Sequence, residues 1–521
     1  MTSIWFWIVV SIYIAAVLFI GFRIRHGYKT KGESQLEFWI AQRQLPAWWL
    51  AASLTAGWLM LGWIGFGMSQ IYMYGATGLW ILPIPWIILC FIIIAVVPFY
   101  RRVGAVSLPQ MIEKRFGISG RTLLAIFSFF VFIIWTEAET FMAGTLLSPF
   151  LGIDPRWCMV LVIVPVIIYT YLGGFRAVVT TDVLQFSLMA VFIIILTYVA
   201  VSSAINVANG NVIDALSKIA PPWSGEGQVF NLNFLGIGFP IILLIGYLPG
   251  WLIEQDLAVR MQAAKSTKEA RKASWLGLVL IGTFVIILPA IIAFCSLVIF
   301  PPSAGAANEA IGANALGIIS ALIAKLPLAV AAFMVVGILA AQMSTIDTFA
   351  NVSAMPLHFD IIDPILARKK VAEKFRLSTA KIISVFVLLV ALVLAFMSES
   401  LNDVYYISSG VLSACIAVQV FFIFWRRTTL PAIITSSIIG FIGTVGGYFF
   451  EYRVALTNPE ILPPFLRSSV GYNYIAFGVI LSLITIIVVS LVTKPSPKHL
   501  LDSVKPQPVD NYEEFAVSAA N

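Results

Sequence analysis

Charge is scarce in this chain of 521 residues: only 11% are Asp, Glu, Lys or Arg, against roughly 25% in an average soluble domain. That scarcity excludes a water-soluble globule, because the 60% of residues that are apolar would have to share one enormous core. Cysteine is equally sparse, and Cys90, Cys158, Cys295 and Cys415 each sit inside an apolar run. A free cysteine there behaves as a small hydrophobe, so no disulfide framework is expected. His26, His358 and His499 stand far apart with no ligand spacing around them, which argues against a transition-metal site. The loops hold no nucleophile and base pair and no cofactor motif, so neither an enzyme nor a cofactor-dependent protein is expected.

What is abundant is apolar sequence in separate runs of about 20 residues, the length that spans a bilayer. Thirteen such runs centre near residues 4–22, 47–74, 78–99, 122–150, 157–173, 177–205, 233–252, 274–299, 327–355, 380–397, 404–425, 430–450 and 473–493. The first follows Met1 without a basic n-region and lacks a small-residue cleavage site, so it reads as a retained helix. The polar segment 494–521 reads as a flexible tail.

Basic residues cluster in alternate loops: 23–45 (Arg23, Arg25, Lys29, Lys31, Arg43), 101–121, 260–272, 368–381, 426–427 and the tail. Loops on the other face hold only Arg156, Lys218, Lys325, Arg453 and Arg467. Basic loops stay in the cytoplasm, which places the N-terminus outside and, after thirteen spans, the C-terminus inside. The net charge of +7 is then a topology signal rather than a nucleic-acid surface. A multi-pass cell-membrane protein is expected, with the lipid bilayer as partner and no nucleic acid or obligate protein partner.

Polar groups inside such runs are costly and point to function. In AAQMSTIDTFANVSA, Ala341, Ser344, Thr345 and Thr348 follow i, i+3, i+4, i+7 and share one stripe of a helix. Two adjacent hydroxyls beside a carbonyl suit a small hard cation. Spacing alone equally fits hydroxyls that let helices approach or that bond back to the preceding turn. Asp347 shares the face of Ser344, Asp182 lies in GGFRAVVTTDVLQ, and Glu137 and Glu139 stand beside Trp135. Each acid needs a partner, a proton or an ion.

FWIAQRQLP at Phe38 to Pro46, SLPQMIEKRFG at Ser107 to Gly117, GGFRAVVTTDVLQ at Gly173 to Gln185, QDLAVRMQAAKSTKEAR at Gln255 to Arg271 and AAQMSTIDT at Ala340 to Thr348 resemble, in this order, the motifs of the sodium:solute symporters. The resemblance covers nearly the whole chain. It implies an all-α integral membrane fold of the leucine-transporter type, with inverted five-helix repeats at about 47–205 and 233–425. One helix precedes them and two follow, at about 430–493. It also implies a coupling sodium held by the carbonyls of Ala56, Leu59 and Ala341 with the hydroxyls of Ser344 and Thr345. For a second sodium, as in some members, the positions are Asp182, Asp347 and Thr348.

Thr55 to Trp80 is similar to the choline-carrying branch of that family. The resemblance implies a substrate site that includes Trp58, Trp135, Trp251 and Tyr405, whose ring faces suit a quaternary ammonium or another cationic amine. Glu137 and Glu139 depart from that branch but add negative charge. They leave open a neutral or carboxylate solute, such as an amino acid, urea or a monocarboxylate. A channel or a non-transporting sensor is the alternative from another class. The expected function is sodium-coupled symport of a small organic solute.

Overall fold

The computed structural model describes residues 4–31, 34–102, 105–303, 305–312, 314–398, 402–467 and 469–504. The tail from 505 on, and the side chains of Lys29 and Lys31, lie outside that description. Among the described residues every regular element is helical. The helix α1 (Ile4–Lys31) leads to α2 (Ala47–Trp58) and α3 (Leu61–Tyr74), a pair bent by 60° across Leu59 and Met60. There follow α4 (Pro83–Arg102), α5 (Ile118–Leu151) and α6 (Pro155–Val207). Next come α7 (Gly238–Leu252) with α8 (Gln255–Ala263), α9 (Thr267–Ile281) with α10 (Leu288–Ile299), and α11 (Leu328–Met355). The chain continues through α12 (Glu373–Met397), α13 (Asn402–Leu412), α14 (Val418–Phe422), α15 (Leu430–Phe450) and α16 (Asn473–Val492).

Helix α6 has 53 residues and would reach about 80 Å if straight, against a hydrocarbon core of about 30 Å. It is two spans joined at Gly174, where φ is 51° and ψ is −149°. A Cβ there would lie 2.6 Å from Phe38 Cδ2 and 2.8 Å from Phe38 O, so glycine supplies both the backbone angle and the room. With α6 divided, the eleven long apolar helices and the bent α2–α3 pair account for the thirteen expected runs.

A second interrupted helix follows α6. Between α7 and α8 the backbone leaves helical geometry at Glu254, with φ −54° and ψ 135°, which turns a polar stretch back into the bundle. This corrects the expected basic loop at 260–272: Arg260 lies in α8 and is fully buried. Helix α11 is the bundle's axis, with every residue from Met334 to Met355 buried, as a helix enclosed on all sides requires. By contrast Ile12, Tyr198, Ile442 and Val492 are exposed on the outer helices, where lipid rather than water is the fitting solvent. The four cysteines are free and buried.

On the basic face, the short helix Leu108–Phe116 is pinned by Arg115. Its guanidinium donates to the carbonyls of Ile423, Trp425, Arg426 and Thr428, the orphan acceptors that the end of α14 leaves behind. Burial pulls the Arg115 pKa down to about 10, which keeps it charged at neutral pH.

Candidate functional site

The bend between α2 and α3 arises in the sequence AGWLMLGW, where two glycines flank the interruption. Each makes room for a charged side chain. A Cβ on Gly57 would lie 2.9 Å from both Arg260 Nη2 and Thr348 Oγ1, and a Cβ on Gly62 would lie 2.8 Å from Glu139 Oε1. Gly57→Ala is therefore expected to displace the guanidinium at a cost of about 1–3 kcal/mol, the usual penalty of overpacking. A lowered Tm in detergent checks it; an unchanged Tm would contradict this account of the contact.

Around the first glycine, four helices converge on Asp182 of α6 and Arg260 of α8. Asp182 Oδ1 accepts from Ser344 Oγ on α11, and Oδ2 accepts from Ser53 Oγ on α2, both at 2.5 Å. Arg260 donates from Nε to Ser53 Oγ at 3.0 Å and from Nη2 to Thr348 Oγ1 at 2.8 Å. Its nitrogens also lie 3.5 Å from Asp182 Oδ2 and 3.4 Å from Asp256 Oδ2. Thr345 Oγ1 donates to Ala341 O at 3.0 Å. The hydroxyl hydrogens of Ser344 and Thr345 are thus both committed, which leaves their oxygen lone pairs available to a cation. Asp347 turns elsewhere: its Oδ2 accepts from Tyr169 OH on α6.

Around the second glycine lies Glu139 of α5. Its carboxylate accepts from the hydroxyl of Tyr405 and from Gly62 N at 3.3 Å. Gln342, with its amide nitrogen turned toward α5, donates to Glu139 Oε2 at 3.1 Å and to Glu139 O at 2.8 Å. Gly62 and Trp63 belong to the first turn of α3, whose N–H groups have no partner within the helix. Glu139 supplies one.

Trp63 centres an aromatic cluster. Its ring centroid lies 5.2 Å from Tyr405, 5.8 Å from Tyr406, 6.2 Å from Trp251 and 6.3 Å from Tyr247. Tyr247 stacks on Trp251 at 4.9 Å.

The geometry sorts the residues singled out from sequence into groups. Asp182, Ser344 and Thr348 meet around Arg260, and Thr345 donates to Ala341 O one turn back on α11, while Asp182 and Thr348, expected to serve a second sodium, already lie against that guanidinium. Leu59 N turns back to Ala56 O at 3.2 Å, at the break itself. Tyr405, Glu139 and Trp251 join the Trp63 cluster. Trp58 stands at its edge, tilted against Trp86 with ring centroids 5.2 Å apart and with Nε1 donating to Asp256 Oδ2 at 2.8 Å. Trp135 does not share that cluster: its ring packs on Phe132 and Phe349 and its Nε1 donates to Ser408 Oγ at 2.7 Å. Glu137 faces away as well, accepting from Ser398 Oγ at 2.5 Å beyond the end of α12. Ser53, Trp63, Arg260 and Gln342 escaped sequence reasoning. The signals were present: Ser53 is one turn before Ala56, Trp63 directly follows Gly62, and Arg260 stands inside a quoted motif.

A family model described as the sodium:solute symporter family matches residues 38–440. The chain is 26% identical over 479 residues to a sodium/glucose cotransporter of Vibrio parahaemolyticus, covering 87% of this chain and 86% of that one. It is 26% identical over 503 residues to sodium/proline symporter 2 of Staphylococcus saprophyticus, covering 90% and 92%. Among solved structures, a substrate-bound, outward-open Na+-coupled sialic acid symporter superposes with a TM-score of 0.70 at 18% identity, covering 95% of this chain and 99% of that one. That likeness concerns the fold.

Proposed function

The chain belongs to the sodium:solute symporter family, and on that premise we propose that it couples inward sodium movement to the import of a small organic solute. The observation that carries the reading is the meeting of α2 and α11 on one carboxylate, where Ser53 and Ser344 both donate to Asp182. Sodium is held there by the carbonyls of Ala56, Leu59 and Ala341 and the hydroxyls of Ser344 and Thr345. Arg260 already supplies positive charge beside Asp182 and Thr348, so the proposed stoichiometry is one sodium. The two repeats, 47–205 and 233–425, rock about this junction, with the N-terminus outside and the C-terminus in the cytoplasm. One charge moving down 100 mV contributes about 2.3 kcal/mol, which supports about 50-fold accumulation before the sodium gradient is counted.

The solute lies against Trp63, Trp251 and Tyr405, and the ring faces favour a cationic amine. Trp63→Ala is then expected to weaken solute binding by about 0.5–2 kcal/mol, read as a raised half-saturation for uptake. An unchanged half-saturation would move the solute elsewhere. The names of the sodium/glucose and sodium/proline relatives keep a neutral or zwitterionic solute as the second reading.

The test is uptake into proteoliposomes under an inward sodium gradient, with amines, sugars and amino acids as candidate solutes. They are first ranked by thermal shift with and without sodium, since a bound ligand raises apparent stability. Accumulation that follows the sodium gradient supports the proposal. Equal uptake in potassium buffer, or solute flux that never saturates, would overturn it in favour of a uniporter or a channel.

A further inference from the structure

We propose that Glu139 is a resident anion of the transport site, occupying the place at the start of α3 where a solute's own carboxylate would dock, so that the carrier discriminates against carboxylate-bearing solutes. The inference deepens the symporter reading and rests on it.

Four observations converge. First, the interrupted helix ends its break with α3, a helix of 14 residues whose N-cap Met60 gives no side-chain hydrogen bond and whose first residues, Leu61, Gly62 and Trp63, are buried. Such a terminus near the midplane of a carrier attracts anionic groups of the cargo. Second, it is already filled, because Gly62 N donates to the Glu139 carboxylate at 3.3 Å. Third, the remaining partners are donors too: the Tyr405 hydroxyl and the Gln342 amide complete a shell around a fully buried side chain. A carboxylate surrounded by donors is held as an acceptor, and a second anion in that shell would find no free donor and a like charge. Fourth, Gly62 has no Cβ, and one would stand 2.8 Å from Glu139 Oε1. The approach of the acid therefore depends on the residue at the break itself.

The Tyr405 hydroxyl ties this anion to the ring that lies 5.2 Å from Trp63. Glu139 is thereby a specificity-determining residue for the proposed site rather than an isolated buried acid. Matched solutes follow from the chemistry: ethanolamine should be preferred to glycine, choline to glycine betaine, and prolinol to proline, since each pair differs mainly by an alcohol in place of a carboxylate.

The test uses the full-length protein in detergent, with bound 22Na+ counted in parallel. Acetate is the probe. Wild type should show no saturable acetate stabilisation in sodium buffer, whereas Glu139→Gly, which vacates the donors, should bind acetate about ten-fold or more tighter, the factor expected for hydrogen bonds to a charged group. Glu139→Gln, which fills the same space without the charge, should not gain acetate binding. Should Glu139→Gly fail to fold, the wild-type comparison of the three solute pairs still decides. Stabilisation of wild type by acetate, glycine betaine or proline would overturn the proposal, as would a folded, sodium-binding Glu139→Gly that ignores acetate. Absence of 22Na+ binding in wild type would instead strike the symporter reading.

Discussion

Arg260→Ala is expected to leave little folded protein in detergent, with a loss on the order of 3–5 kcal/mol, the cost of removing one partner from a buried ion pair. The guanidinium is fully buried and faces two carboxylates, Asp182 and Asp256. It also bonds the Ser53 hydroxyl, the Ser53 carbonyl and Thr348. Removal leaves two fully buried acids without their cation, and removes the piece that ties α2, α6, α8 and α11 together. Arg260→Lys should rescue only part of the loss, because an ammonium cannot divide its donors across a planar fork. A change of this size in a chain with many candidate membrane spans does not reduce to a two-state free energy. The measurement is therefore the monodisperse fraction by size-exclusion chromatography together with the Tm. A monodisperse Arg260→Ala with wild-type Tm would refute the role given to this residue. Adding Asp182→Asn to Arg260→Ala should recover stability, since it removes one of the stranded charges.

The second large effect is expected on ion binding. Ser344→Ala should lower 22Na+ affinity by about 10- to 100-fold, the equivalent of losing one interaction with a charged group, with much less change in Tm than Arg260→Ala produces. The hydroxyl has two tasks that the methyl cannot perform. It donates its hydrogen to Asp182 Oδ1, and in the proposed site it offers a lone pair to sodium. Ser344→Thr keeps both and should remain close to wild type. Thr345→Ala should behave like Ser344→Ala. If Ser344→Ala binds 22Na+ as wild type does, the stripe on α11 is structural and the coupling ion lies elsewhere.

The membrane architecture was legible because its signals are long. Twenty apolar residues exceed any chance run at this composition, and the separate runs 157–173 and 177–205 already divided the 53-residue α6 that the backbone breaks at Gly174. The stripe of Ala341, Ser344, Thr345 and Thr348 was legible too, because helical periodicity alone puts those residues on one face. What periodicity cannot supply is the partner across the bundle. Arg260 read as a loop cation since it follows a polar stretch, yet the turn at Glu254 folds that stretch inward. Trp58 and Trp135 could not be told apart by depth. Only the positions of Asp256, Phe349 and Ser408, each more than 190 residues away in sequence, separate them from the cluster around Trp63. Glu137 and Glu139 likewise look equivalent in the chain but point to opposite neighbours, Ser398 and Gly62.

Gln342 stands between Ala341 and Ser344 in sequence but about 100° around the helix from Ala341, where its amide holds Glu139. One rigid rod thus presents its hydroxyls to the proposed sodium site on one flank and a hydrogen-bond donor to the proposed solute site on another. Any rotation or slip of α11 that tightens one flank must alter the other, and thermodynamic linkage makes the traffic two-way. Whatever factor sodium adds to solute affinity, the solute must return to sodium. Gln342→Ala should therefore shrink both factors equally while leaving each ligand able to bind alone, turning an obligatory pair of passengers into independent ones.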